Sequence, residues 1–201
     1  MTFSRKDFIA VSALGASVAT VADLAAPAAA QARAPVHFEI LKPDEFDGAA
    51  MLRTLSPDSA HKQIFQTSTP LVVAPGIASI YLHMQNAMNA YQFSLGLGKL
   101  STLAVLMGPA IVLALNDATW TKYRFGKGLG AKIGLADTNV YYTAASNLDF
   151  GAQPDDPNGV YQDWSAQAVL KRGGRFFVCH NAMSAIALVT TMESGGDPKA
   201  V

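Results

Sequence analysis

Thiols are almost missing from this sequence: Cys179 is the one cysteine among 201 residues. That excludes any disulfide within the chain and any zinc site built from several thiolates. Charge is sparse as well. Asp, Glu, Lys and Arg make up 15% of the chain, against about a quarter in an average domain. The 15 basic and 15 acidic side chains cancel, which leaves no electrostatic footprint for nucleic acid or for an anionic membrane surface. What is abundant is apolar surface, at 50% of residues, enough for one ordinary domain with a proper core.

Residues 1–32 differ from the rest. Arg5 and Lys6 stand side by side, an uncharged run of 15 residues rich in Ala follows from 8 to 22, and Asp23 and Pro27 close it. Ala30-Gln31-Ala32 is the small-x-small pattern that a signal peptidase cuts after. Fifteen residues fall short of the roughly 20 that span a bilayer, so the segment reads as a signal peptide and not a lasting membrane anchor. Ser4-Arg5-Lys6-Asp7-Phe8-Ile9 resembles the twin-arginine (Tat) signal, with Lys6 in place of its second arginine, and the general secretory route stays open. The expected location is the periplasm or another exported compartment.

Segment 33–60 is rich in Pro, Asp and Glu and reads as an irregular lead-in; 61–201 carries the periodic patterns. The pattern predicts a short strand over 61–67, ended at Thr69-Pro70, and a long amphipathic helix over 77–95 with Ile77, Ile80, Tyr81, Met84, Met88, Tyr91 and Leu95 on its apolar stripe. Residues 100–107 are almost continuously apolar, as a central strand buried on both faces requires. Gly108-Pro109 then starts a helix that keeps its period over 110–123. Gly126, Gly128, Gly130 and Gly134 interrupt any pattern, 139–143 fits a strand, and 154–159 is turn chemistry. Asp163 is positioned to cap a helix ending at Lys171-Arg172, whose cations suit a helix C-terminus. A strand over 175–179 and a last helix capped by Asn181 and ended at Gly195-Gly196 complete the chain.

Strands separated by helices predict an α/β fold, a mainly parallel sheet covered on both faces. Reactive groups in such sheets lie just past the carboxyl ends of the strands, and Cys179 falls there, immediately before a helix. The positive end of the helix dipole favours thiolate, which allows nucleophilic attack and mixed disulfide or persulfide formation. His180 is adjacent, although neighbouring side chains at a strand end diverge. The opposing reading is a small core hydrophobe, because free cysteine is among the most buried residue types.

The run Phe176-Phe177-Val178-Cys179-His180-Asn181-Ala182 resembles the corresponding segment of the DsrE/DsrF-like sulfur-relay family. The turn Leu106-Met107-Gly108-Pro109-Ala110 and the stretch Asn116-Asp117-Ala118-Thr119-Trp120 are similar to a second motif of that family. With the Pro154-to-Gly159 loop, the likeness is greatest to the exported, Tat-signalled branch and covers roughly 62–193. The resemblance implies a three-layer, flavodoxin-like sandwich that assembles as a homo-oligomer. It also implies a cysteine, here Cys179, that carries sulfur as persulfide between protein partners. Relatives often continue with another strand and helix, so the domain 61–201 is expected to lack its C-terminal end. No cofactor or metal is demanded by any motif. The alternative function is a non-catalytic oligomeric binding protein of the same fold with Cys179 buried.

Other candidates weigh less. His83, Met84 and Met88 could be soft copper ligands, but Met84 and Met88 share the apolar stripe. Asp155 and Asp156 lack the spacing of a calcium loop, and Gly126-Lys127-Gly128-Leu129-Gly130 has neither the spacing nor the preceding strand of a phosphate loop. Trp120, Tyr141, Tyr142 and Trp164 suit packing or interfaces better than base stacking. No Ser–His–acid set can be assembled from spacing.

Overall fold

The computed structural model describes residues 42, 44–55, 59–127 and 135–194. The expected signal segment, Gly128, Gly130, Gly134, Gly195-Gly196 and the C-terminal end lie outside the described residues. In chain order the regular elements are α1 (Gly48–Leu55), β1 (His61–Thr67), β2 (Val72–Ala74), β3 (Ile77–Ala78), α2 (Ser79–Asn89) and β4 (Leu100–Leu106). After these come α3 (Asp117–Lys122), α4 (Ala166–Lys171), β5 (Arg175–Val178) and α5 (His180–Ser194). The described residues thus form a mixed α/β fold, and none of their helices is long and apolar enough to cross a membrane.

Strands β1, β4 and β5 make one parallel sheet in the order β1-β4-β5. Leu-Ser-Thr-Leu-Ala-Val-Leu gives β4 apolar or small side chains at every position, and all but Val105 are buried, as a two-sided central strand requires. Its pairing with β1 runs without a slip from His61↔Leu100 to Thr67↔Leu106. On the other edge Leu103↔Arg175 through Leu106↔Val178 pair with β5. Strand β1 is an edge strand, and its Ile64 is 66% exposed.

Helix α2 covers the face of β4 that carries Thr102, whose hydroxyl donates to Met88 Sδ at 3.7 Å. Ile80, Tyr81, Met84 and Met88 are buried as the helical period predicted. The helix nevertheless starts at Ser79. Ile77 belongs to a two-stranded antiparallel hairpin, Val72↔Ala78 and Ala74↔Ile77, turned at Pro75-Gly76. At its far end α2 loosens into a π-turn over Ala90–Ser94, with Leu95 N–H donating to Ala90 O at 2.8 Å, so Leu95 leaves the stripe and is exposed.

Four further differences have local causes. The helix expected over 110–123 is two pieces: a 3₁₀-helix over Gly108–Ala114 with Pro109 in its first turn, then α3, begun afresh because Asn116 Oδ1 accepts from Thr119 N–H at 2.9 Å. Residues 139–143 form turns, since Asn139 spends its amide on Leu115 O and its N–H on Asp117 Oδ1, and Tyr141 and Tyr142 offer their carbonyls to the start of α4. Ser165, not Asp163, caps α4, its hydroxyl accepting from Ala168 N–H at 3.1 Å. Within the segment read as irregular, Gly48–Leu55 is a two-turn helix, opened by Asp47 Oδ1, which accepts from Ala50 N–H at 2.8 Å. Trp120, Tyr81, Tyr141 and Met84 are the largest fully enclosed side chains of the core.

Candidate functional site

The carboxyl edge of the sheet is built by three chain segments leaving β1, β4 and β5 together. Pairing extends one step past the strands: Met107 N–H donates to Thr67 O and Cys179 N–H to Leu106 O, both at 2.9 Å. Gly108 has φ +48°, and a Cβ there would stand 3.1 Å from Ser68 O, so the loops after β1 and β4 touch through a glycine. Cys179 is half-buried at this edge. Its carbonyl accepts from Met183 N–H at 3.0 Å, the first bond of α5. Cys179 rather than Asn181 is therefore the residue at the head of the helix, and His180 begins it, exposed. Anionic groups are favoured at such a place because the first turn's N–H groups have no partner in the helix.

The weaker candidates disperse. His83 is exposed on α2 while Met84 and Met88 are core, so the three do not share a face open to a metal. No three His, Cys, Asp or Glu side chains converge among the described residues. Asp156 Oδ1 accepts from Asn158 N–H at 2.8 Å, and Asp155 is exposed in the same turn. Trp120 and Tyr141 stack at a tilt in the core, with Trp164 and Tyr142 half-buried. Gly126 is explained by a close approach: a Cβ there would overlap the Asp137 Cα and Ala136 O backbone atoms.

The opposite, amino edge of the sheet holds a feature that sequence reasoning missed. Arg172, read as a helix-end cation, is only 8% exposed. Its Nη1 donates to Gln85 Oε1 and Asn89 Oδ1, both at 2.6 Å, and its Nη2 donates to Gln92 Oε1 at 3.0 Å. The guanidinium also lies 4.9 Å from the Tyr161 ring centroid. Gln85 and Asn89 in turn donate to the carbonyls of 160, 161 and 163. The signal was available, since amides at 85, 89 and 92 recur at helical spacing beside the apolar stripe. What the spacing did not reveal was that these amides meet Arg172, 80 or more residues away.

Compared with protein-family models, with curated proteins and with solved structures, the chain matches none.

Proposed function

We propose that this chain is an exported thiol-relay protein, DsrE/DsrF-like and flavodoxin-like in architecture, in which Cys179 carries sulfur between protein partners. The observation that supports it most is the station of Cys179: half-buried, one residue past a parallel strand and at the head of a 15-residue helix. In the reaction, the Cys179 thiolate attacks the outer sulfur of a donor persulfide. The donor's S–S bond breaks as the Cys179 S–S bond forms, the donor leaves as a thiolate, and it recovers the proton that Cys179 gave up. An acceptor thiol repeats the exchange in the opposite sense, so no net oxidant or reductant is consumed. Assembly as a homo-oligomer and passage across the membrane through the leader 1–32 belong to the same reading.

The full chain treated with a low-molecular-weight persulfide should gain one sulfur atom at Cys179 by mass spectrometry, and Cys179→Ser should gain none. Iodoacetamide at pH 7 should modify the native thiol at a rate comparable to that of the urea-unfolded chain. Equal sulfur uptake by Cys179→Ser, or a thiol protected until unfolding, would sink the relay. A non-catalytic oligomeric binding protein of the same fold is the second reading, and the polar network at the amino edge favours it.

A further inference from the structure

A cavity of about 390 Å³ opens at the amino edge of the sheet, the end opposite Cys179. Three cations line it: Lys99 just before β4, and Lys171 and Arg172 at the end of α4. A Cβ on Gly173 would lie 3.1 Å from Lys99 Nζ, which places that ammonium against the backbone that follows Arg172. Lys171 Nζ sits 5.4 Å from the Phe150 ring centroid on the same wall. Among the described residues none of these three cations pairs with a carboxylate. Asp163, the acidic group nearest in the network, has both oxygens committed to the Ser146 and Ser165 N–H groups.

Arg172 differs from the other two cations in its burial. Lys171 and Lys99 are solvated and tolerate the absence of a counter-ion, but the charge of a residue only 8% exposed does not come without cost. Its contacts are neutral amide oxygens and an aromatic face, which orient the group and leave its charge uncancelled. Burial pushes its pKa down to about 10, with Tyr161 acting in the opposite sense, so it is still cationic at neutral pH. The three amide bonds occupy three of the five guanidinium N–H donors, which keeps donors for a ligand. A rigid fork backed by two ammonium groups matches a doubly charged tetrahedral oxyanion better than a single carboxylate.

We propose that this cavity is a binding site for a small dianionic oxyanion of the phosphate and sulfate class, free or as the end of a small ester. It is independent of Cys179. The test is calorimetric titration of the full chain with inorganic phosphate, sulfate and phenyl phosphate, at ionic strength held constant with chloride. Saturable binding of one anion per chain is expected, weakened by at least about tenfold in the Lys99→Gln/Lys171→Gln double variant. Both replaced side chains are exposed, and an unchanged circular dichroism spectrum verifies the fold; Lys171→Gln alone should show part of the loss. Phenyl phosphate binding more tightly than phosphate identifies an ester as the natural ligand, and equal binding identifies the free ion. Heats no greater than those of chloride, or an affinity the double variant leaves unchanged, would overturn the proposal.

Discussion

Replacing Asp163 by Asn should cost this protein about 2 kcal/mol at neutral pH, and the cost should depend on pH in one direction only. Asp163 is 6% exposed, and its two carboxylate oxygens accept from Ser146 N–H at 2.8 Å and Ser165 N–H at 2.9 Å. It thereby fastens the 146 loop to the residue that caps α4. Burial raises the carboxyl's pKa, but the side-chain and backbone bonds from Ser165 and Ser146 outweigh that and hold it below the ordinary aspartate value. Asn has the same shape, yet one oxygen becomes an NH₂ facing a backbone N–H, so one of the two backbone bonds is lost outright and the other loses its charge. Hydrogen bonds to charged groups contribute roughly 1.5–3 kcal/mol each, which sets the estimate near 2 kcal/mol. With a urea m-value of about 2 kcal/mol/M, the midpoint should fall by roughly 1 M. Because the folded pKa lies below the unfolded value of about 3.9, the stabilisation is complete above that pH and is lost as pH falls through the folded pKa. Urea melts followed by tryptophan fluorescence should show a constant gap between wild type and Asp163→Asn from pH 7 to 5, narrowing below about pH 4. A gap that stays the same at pH 3, or no gap at pH 7, refutes the account.

Two other substitutions probe the packing. Tyr81 is fully buried, with its hydroxyl donating to Leu113 O at 2.7 Å and its ring edge-on to Phe176. Tyr81→Phe should keep the ring contact and lower stability by about 1–2 kcal/mol in chemical denaturation, since the Leu113 carbonyl is left without its donor. Gly126→Ala should lose about 3 kcal/mol or fail to fold, because its Cβ would overlap backbone atoms of Ala136 and Asp137 that no side-chain rotation can clear; a melting temperature equal to wild type would contradict it.

The parts of the fold that the sequence made legible are those whose cause is local. Strand β1 ends where Thr69-Pro70 stops it, and β4 is recognisable because every side chain suits a dry two-sided strand. The hairpin before α2 was illegible: strands of three and two residues have too little period to register, and they exist because they pair with each other. At α3 the apolar period runs on unbroken, and only the competing Asn116 side chain divides it. The station of Cys179 could be read from a strand pattern running into a helix pattern. The buried setting of Arg172 could not, because a cation at a helix end satisfies local rules in solvent as well as in a core, and only the crossing of α2 and α4 decides which applies.

The registers of the sheet set a timetable for the growing chain. Leu100 comes 39 residues after its partner His61, so β1 and β4 can join as soon as both have emerged. Arg175 follows its partner Leu103 by 72 residues. At a synthesis rate of about 5–20 residues per second, the second edge of β4 waits roughly 4–14 s for β5. During that interval the central strand of the sheet, buried at six of its seven positions in the finished fold, presents an unpaired ladder of N–H and C=O groups, open to any neighbouring chain in the same condition. Slow translation and high expression should therefore depress the folded yield more than amino-acid changes on the finished surface do, and a holding chaperone that covers the β4 edge should restore it.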